Sequence, residues 1–255
     1  MKSFPFGSAK YKQYRNTFLQ NVIITFTFNN VAEDLSKLDN DFKDYIQTFF
    51  GITPNCQLSE GLCSITKKDK SLSFAYAKDS VNVQISGQNY ITFSETAIPN
   101  IFKLRDFFNK VVKINHLNSI SIRKINVWNF KNTNKQKIRV EDLRGLVFSK
   151  NLLSALSTEH LDEIEKSIPH FSKCSYSEDE KTLTIRTALL PPTAKDDFHH
   201  LILDTTIDLH KSDKIKVDQL ADSLMDLNSE LFDCYHWCIS KYVLNIMDSD
   251  PDENK

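Results

Sequence analysis

The chain has 255 residues, of which 40% are hydrophobic and 25% are charged, and its formal net charge is −1. This length is sufficient for one large domain or two small ones, and the balanced charge excludes a global attraction to nucleic acid or to a membrane. The first residues contain no apolar run of signal-peptide length, the five cysteines are scattered, and no stretch approaches the roughly 20 apolar residues of a membrane span, so we expect a cytoplasmic protein without disulfides.

Hydrophobic periodicity predicts alternating strands and helices in the first half of the chain. The predicted elements are a strand over 21–28, a helix over 35–49, a hairpin over 71–86, a further strand over 90–93, a helix that begins near 99 and a strand over 118–130. Gly51 follows the first helix, at the position where a left-handed C-cap residue is favoured.

The second half repeats this layout. The predicted elements are a helical region over 141–168, a hairpin over 171–190, a strand over 199–210 and one long helix over 216–246. Thr158 is expected to cap a new helix that buries Ile164. This order predicts an α+β fold with two halves, 1–135 and 136–248, each with helices packed on a mainly antiparallel sheet, followed by a disordered acidic tail over 249–255.

The glycine count excludes the common nucleotide-binding motifs. The five glycines are isolated from one another, so the clustered glycines of a Rossmann fingerprint or a P-loop are missing. The G-x-S-x-G and H-E-x-x-H motifs are missing as well. We therefore expect no cofactor.

The stretch "HHLILDTTIDLH" over 199–210 is a candidate metal site, because His200, Asp204, Asp208 and His210 share one face of the predicted strand. These four residues span about 33 Å at roughly 3.3 Å per residue, so one ion cannot contact more than two of them. A metal-dependent hydrolase centred on Asp204 and Asp208 is one hypothesis. A polar sheet face in contact with water is the favoured interpretation.

The stretch "CYHWC" over 234–238 contains soft metal ligands. Cys234 and Cys238 are four residues apart on the apolar side of the predicted helix, whereas His236 points elsewhere. Without a second ligand pair, core packing is favoured over a zinc site.

A basic segment is the candidate nucleic-acid site. Its basic residues are Arg123, Lys124, Lys131, Lys135, Lys137 and Arg139. Trp128 and Phe130 are interleaved with them, and the N-terminal segment 10–15 is similarly basic and aromatic. Basic groups can contact phosphates and aromatic rings can stack on bases. The other interpretation is a solvated loop next to a strand that contributes to the core.

The residues Arg123, Ile125 and Asn126 resemble the Arg-x-Ile-Asn strand of a sporadically distributed bacterial family of uncharacterised proteins of about 250 residues. The family's late Leu-x-Asp strand is similar to "LILD" over 201–204, and its terminal helix to residues 220–237. The resemblance implies a bacterial cytoplasmic protein, with a patchy distribution typical of defence or toxin–antitoxin genes and with a protein partner.

The sequence therefore favours a non-enzymatic binding or regulatory protein that acts through a protein partner or as a homo-oligomer. The alternatives are a nucleic-acid-binding protein that uses segments 10–15 and 123–144, and the metal-dependent hydrolase. No interaction with a membrane is expected.

Overall fold

The computed structural model describes residues 4, 6–10, 14, 17–29, 35–51, 57–59, 62–87, 90, 92–131, 139–159 and 161–249. It confirms the predicted α+β class with an antiparallel sheet. Of the predicted tail over 249–255, the residues after Ser249 lie outside the described part. None of the described helices combines the length and the apolar character that crossing a membrane requires.

The described residues form nine strands and seven α-helices. The strands are β1 (Leu19–Thr27), β2 (Gln57–Ser59), β3 (Leu62–Thr66), β4 (Leu72–Ala77), β5 (Ser80–Ser86), β6 (His116–Lys131), β7 (Ser172–Glu178), β8 (Lys181–Leu190) and β9 (Phe198–Lys216). The helices are α1 (Leu35–Phe50), α2 (Ile98–Phe107), α3 (Val140–Val147), α4 (Lys150–Ala155), α5 (Glu163–Ser167), α6 (Leu220–Cys238) and α7 (Lys241–Asp248).

The chain divides into two compact units built from discontinuous segments. Unit 1 consists of residues 1–20, 124–206 and 229–255, and unit 2 consists of residues 21–123 and 207–228. Each unit therefore includes residues from both predicted halves, 1–135 and 136–248. The long strands β6 and β9 contribute residues to both units.

Unit 2 is an antiparallel sheet with helices packed on one side. Its strand order is β2-β3-β4-β5-β1-β6-β9. The register places Val83 of β5 opposite Ile24 of β1 and opposite Phe74 of β4. These three side chains are buried, because alternate residues of a strand share one side of the sheet.

An aromatic cluster joins the helices of unit 2 to this sheet. The ring of Phe42 in α1 lies 5.2 Å from the ring of Tyr76 in β4 and 5.1 Å from the ring of Phe107 in α2. All three residues are at most 1% exposed. α1 ends at Gly51, whose φ of 63° confirms the predicted left-handed C-cap.

Unit 1 has the strand order β6-β9-β8-β7 and its own set of helices. Trp128 of β6 packs edge-on against Phe148, with 6.1 Å between ring centroids. Two serines hold the helix junctions together, since Ser149 Oγ donates to the Trp237 carbonyl at 2.6 Å and Ser240 Oγ donates to the Leu146 carbonyl at 2.6 Å.

Three predicted elements are wrong in their details. The single helix over 216–246 is interrupted after Cys238, and Ser240 caps α7 by accepting from the Val243 amide at 3.3 Å. Asp162, not Thr158, caps α5 through a capping box with Glu165, and this register leaves Ile164 76% exposed. The predicted strand over 90–93 is not formed at its end, because Thr92 caps a π-helical turn that begins at Phe93.

Strands β2 and β3 were not predicted. They are three and five residues long and pair as a hairpin that places Leu58 opposite Cys63. Their mixed composition of small and polar residues has no clear alternation, so the period-two signal is weak.

Two phenylalanines of α2 provide a matched test of the unit 2 core. Phe107→Ala removes a buried ring and should lower the free energy of unfolding by about 3–5 kcal/mol. Phe102 is 44% exposed, so Phe102→Ala should change the free energy of unfolding by less than about 1 kcal/mol. Urea denaturation followed by circular dichroism measures both, and equal losses would contradict this core.

Candidate nucleic-acid interface

The alternation of side chains along β6 separates buried from exposed residues. Ile122, Asn126 and Trp128 are buried, whereas Asn129 and Lys131 are exposed on the other side of the strand. The residues that remain open to a ligand in the unit 1 portion of β6 are therefore the odd-numbered ones.

β9 follows the same rule in unit 1. Leu201, Leu203 and Thr205 are buried, and Phe198 and His200 lie on the opposite side with greater exposure. Phe198 is 37% exposed, which is unusual for an aromatic ring of a regular strand.

Hydrogen bonds show that the open sides of β6 and β9 are the same side of the sheet. His200 Nδ1 lies 2.8 Å from Asn129 Oδ1, and Thr205 Oγ1 donates to the Lys124 carbonyl at 3.4 Å. Between these two contacts the residue number rises from 200 to 205 in β9 and falls from 129 to 124 in β6, so the two strands are antiparallel. Two residues beyond His200 and Asn129, Phe198 comes opposite Lys131.

β8 and β7 extend this side of the sheet. Arg186 Nη1 of β8 donates to Thr206 Oγ1 of β9 at 3.2 Å. The β7–β8 register then places Lys173 opposite Arg186 and Ser175 opposite Thr184. We name this surface the polar face after its polar members together with Phe198: Asn129, Lys131, Lys173, Ser175, Thr184, Arg186, Phe198, His200 and Thr206. By the same alternation, Val127, Ile202 and Asp204 lie on this side as well.

The basic side chains of the polar face differ in whether a carboxylate pairs with them. Lys173 Nζ lies 2.5 Å from Glu165 Oε2, and His200 Nε2 lies 2.7 Å from Asp196 Oδ2. By contrast, Arg186 has the hydroxyl of Thr206 as its polar partner, and within the described part of the chain Arg186 forms no ion pair. The Arg186 guanidinium therefore retains donors and charge for a ligand.

The fold places the predicted basic residues in different surroundings. Arg123 and Arg139 are exposed, in β6 and directly before α3 respectively, and Lys131 joins the polar face. Lys124 points to the buried side of β6, where burial lowers the pKa of its ammonium to about 8. The remaining two predicted residues, Lys135 and Lys137, lie outside the described residues.

The N-terminal basic segment 10–15 is only partly described. Lys10 is exposed, and the Tyr14 hydroxyl lies 2.8 Å from His236 Nε2. Its other basic residues, Lys12 and Arg15, lie outside the described part of the chain.

The two aspartates of the predicted metal site occupy different surroundings. Asp204 is only 6% exposed, so the prediction that the polar side of this strand faces water is wrong at this position. β9 lies between β6 and β8 in unit 1, and a residue of an inner strand has neighbouring strands on both sides. Asp208 is half-buried. Among the described residues, no three His, Cys, Asp or Glu side chains are grouped to hold a metal ion.

The cysteines of "CYHWC" are core residues, as predicted. Cys234 and Cys238 are fully buried, and their Sγ atoms lie 3.8 Å apart. His236 points away from them and packs on the Phe232 ring, with 4.6 Å between centroids. Burial also raises the pKa of the half-buried Cys174 thiol to about 11, so this sulfur is not an activated nucleophile.

Sequence reasoning missed Phe198 and Arg186. The signal for Arg186 was present, because "TLTIRT" alternates Leu183 and Ile185 with Thr184 and Arg186. Phe198 had no comparable signal, since an aromatic residue at the start of a strand is usually assigned to the core.

Comparisons with known proteins do not assign a function. No family model and no curated protein matches this chain. Among solved structures, the rolling circle replication initiator protein from Geobacillus stearothermophilus is similar over 90% of this chain and 94% of that chain, with a TM-score of 0.30 and 12% sequence identity. The TBP of Methanococcus jannaschii is similar over 84% of this chain and 97% of that chain, with a TM-score of 0.28 and 9% sequence identity. At these scores the function has to be argued from the residues of this chain.

The buried ammonium of Lys124 predicts a pH-dependent stability. Its folded pKa of about 8 lies below the ordinary 10.5, so the cost of burying the charge is present below pH 8 and disappears as the pH rises through 10.5. Lys124→Met should therefore raise the free energy of unfolding more at pH 7 than at pH 10, by a difference on the order of 2 kcal/mol.

Urea titrations at the two pH values measure this difference. Lys131→Met, at an exposed position of the same strand, is the control, and it should change the free energy of unfolding by the same amount at pH 7 and at pH 10. A Lys124→Met effect that does not change with pH would show that the ammonium is not desolvated.

Proposed function

We propose that the polar face of unit 1 binds single-stranded nucleic acid. The observation that carries this proposal is that two exposed residues, Phe198 and Lys131, come opposite each other in the antiparallel pairing of β9 with β6. An exposed aromatic ring offers a stacking platform for a base, and a neighbouring lysine can contact the phosphate that follows it.

The other strands supply contacts for further nucleotides. Arg186, whose polar partner is the hydroxyl of Thr206, lies two strands away from Lys131. Four strands separated by about 4.8 Å give a surface of the kind on which four-stranded RNA-binding sheets stack two or three bases. The hydroxyls of Thr184 and Thr206 and the amide of Asn129 can hydrogen-bond to base edges.

The charge distribution predicts modest affinity with a clear salt dependence. A chain of net charge −1 has no long-range attraction to a polyanion, so binding depends on the cations of the polar face. With Lys131 and Arg186 as the two phosphate contacts, the logarithm of the association constant should fall with the logarithm of salt concentration with a slope of about −1.4.

Two substitutions test the two kinds of contact with a labelled 12-nucleotide oligo-U or oligo-dT. Phe198→Ala should weaken binding about 5- to 150-fold, the range expected for loss of one stacked base. Lys131→Gln should weaken binding of both oligonucleotides alike and reduce the salt slope by about 0.7. Fluorescence anisotropy at several salt concentrations measures both effects.

Matched controls lie away from the polar face. Phe102→Ala removes a ring of similar exposure, 44% against 37% for Phe198, from α2, and Lys150→Gln removes an exposed ammonium from α4. Neither should change the affinity by more than about twofold. The absence of binding at low salt, or equal losses in test and control variants, would refute the proposal.

A protein partner is the second candidate, and one feature of β7 supports it. β7 is the last strand in unit 1, and the backbone groups of Lys173 that face its open edge are bonded to Ser157 at 3.0 Å. The corresponding groups of Ser175 and Ser177 have no backbone partner among the described residues. Such an edge can add a strand from a second chain.

Light scattering after size-exclusion chromatography tests self-association through this edge. A dimer would have twice the chain mass of 29.5 kDa. Ser175→Pro removes an outward amide without breaking a bond to β8, so it should shift a dimer to monomer, whereas Ser175→Ala should not. A wild-type monomer at high concentration would exclude this mode of self-association.

A further inference from the structure

A cleft on the helical side of unit 1 has the composition of a second, separate ligand site. Its volume is about 470 Å³, within the usual range for small-molecule sites. It is lined by Glu141, Arg144, Leu153, Leu156, Glu159 and Ser172, together with Ser157 and Thr158. Ser172 and Lys173 are consecutive residues of β7, so the cleft and the polar face lie on opposite sides of this strand.

Arg144 is held in place at the cleft by buried hydroxyls. Its Nη2 donates to Ser172 Oγ at 2.8 Å, and Ser172 Oγ lies 2.9 Å from Thr187 Oγ1. Ser172 is 3% exposed and Thr187 is 1% exposed, so this support is rigid and shielded from water. The position of the guanidinium is therefore set by the fold before any ligand binds.

The charge of Arg144 is not matched by a contacting carboxylate. In the described part of the chain Arg144 forms no ion pair, and its buried Nε has no hydrogen-bond partner. Burial lowers the pKa of the guanidinium, whereas the charge of Glu141 raises it. The buried Nε is closed to a ligand, but the Nη hydrogens that do not face Ser172 can bind a carboxylate through two parallel hydrogen bonds.

The other residues that line the cleft indicate which chemical groups the ligand carries besides its carboxylate. Two glutamates, Glu141 and Glu159, give the cleft a net charge of −1 together with Arg144, which disfavours a phosphate dianion and favours a ligand that also carries an ammonium. Leu153 and Leu156 supply an apolar wall. We propose that this cleft binds an α-amino acid with an aliphatic side chain, with its carboxylate on Arg144, its ammonium by Glu159 or Glu141 and its side chain on the two leucines.

Isothermal titration calorimetry with L-leucine and two blocked forms tests this assignment. Leucinamide lacks the carboxylate and N-acetyl-leucine lacks the ammonium, so each should bind at least about tenfold more weakly than leucine. Inorganic phosphate is the competing probe. The absence of leucine binding at millimolar concentration, or tighter binding of phosphate than of leucine, would overturn the proposal.

Substitutions of the lining residues test which residue binds the carboxylate of the ligand and which binds its ammonium. Arg144→Gln should weaken leucine binding at least about tenfold and abolish the preference for leucine over leucinamide. The double variant Glu141→Gln/Glu159→Gln changes two exposed side chains and should reduce the preference for leucine over N-acetyl-leucine, and its result tests the assignment if Arg144→Gln does not fold. Arg139→Gln is the matched control, since Arg139 is exposed and does not line the cleft. Unchanged preferences in both test variants would refute the assignment.

Discussion

The strict alternation of side chains along β6 and β9 is the constraint on which the functional surface of unit 1 depends. A residue of a strand faces the helices or the open side according to its parity, and a shift of one residue would exchange the two sets. Lys124 and Lys131 show the consequence, because they belong to one strand but Lys131 is exposed whereas Lys124 points to the side of the buried residues. The number of basic residues in a segment is therefore a poor measure of its binding capacity.

The same rule gives unit 1 two surfaces with different chemistry. The polar face presents Lys131, the guanidinium of Arg186 and the exposed ring of Phe198, which suits an extended polyanion with stacked bases. The cleft around Arg144 is partly enclosed and combines one guanidinium with two carboxylates and two leucines, which suits a small zwitterion. β7 supplies residues to both, so its pairing with β8 and its bridge to Ser157 support both surfaces.

Elements with strong periodicity were predictable from the sequence, and elements decided by local hydrogen bonds were less so. The strand over 199–210, the hairpin over 171–190 and the helix that ends at Gly51 have clear patterns and are present. The interruption after Cys238 could not be found by periodicity, because the apolar stripe continues across it into α7, which Ser240 caps at its N-terminus. At α5 two caps competed, and the reciprocal bonds of Asp162 and Glu165 prevailed over Thr158.

The candidate site was predictable only in part, for a related reason. Sequence reasoning identified Lys131 within a basic segment and His200 within a polar strand face, but the register that brings these strands together is a tertiary property. It also could not find that Asp204 is buried or that Phe198 is exposed, since burial of a strand residue depends on which strands flank it.

The most direct test of the proposed interface is an NMR titration of the ¹⁵N-labelled protein with a single-stranded oligonucleotide at low salt. The account predicts that the amide signals that shift most belong to β7, β8 and the unit 1 portions of β6 and β9, with the largest changes around Phe198 and Lys131. Shifts confined to the helices of unit 1 or to unit 2, with the strand signals unchanged, would contradict it.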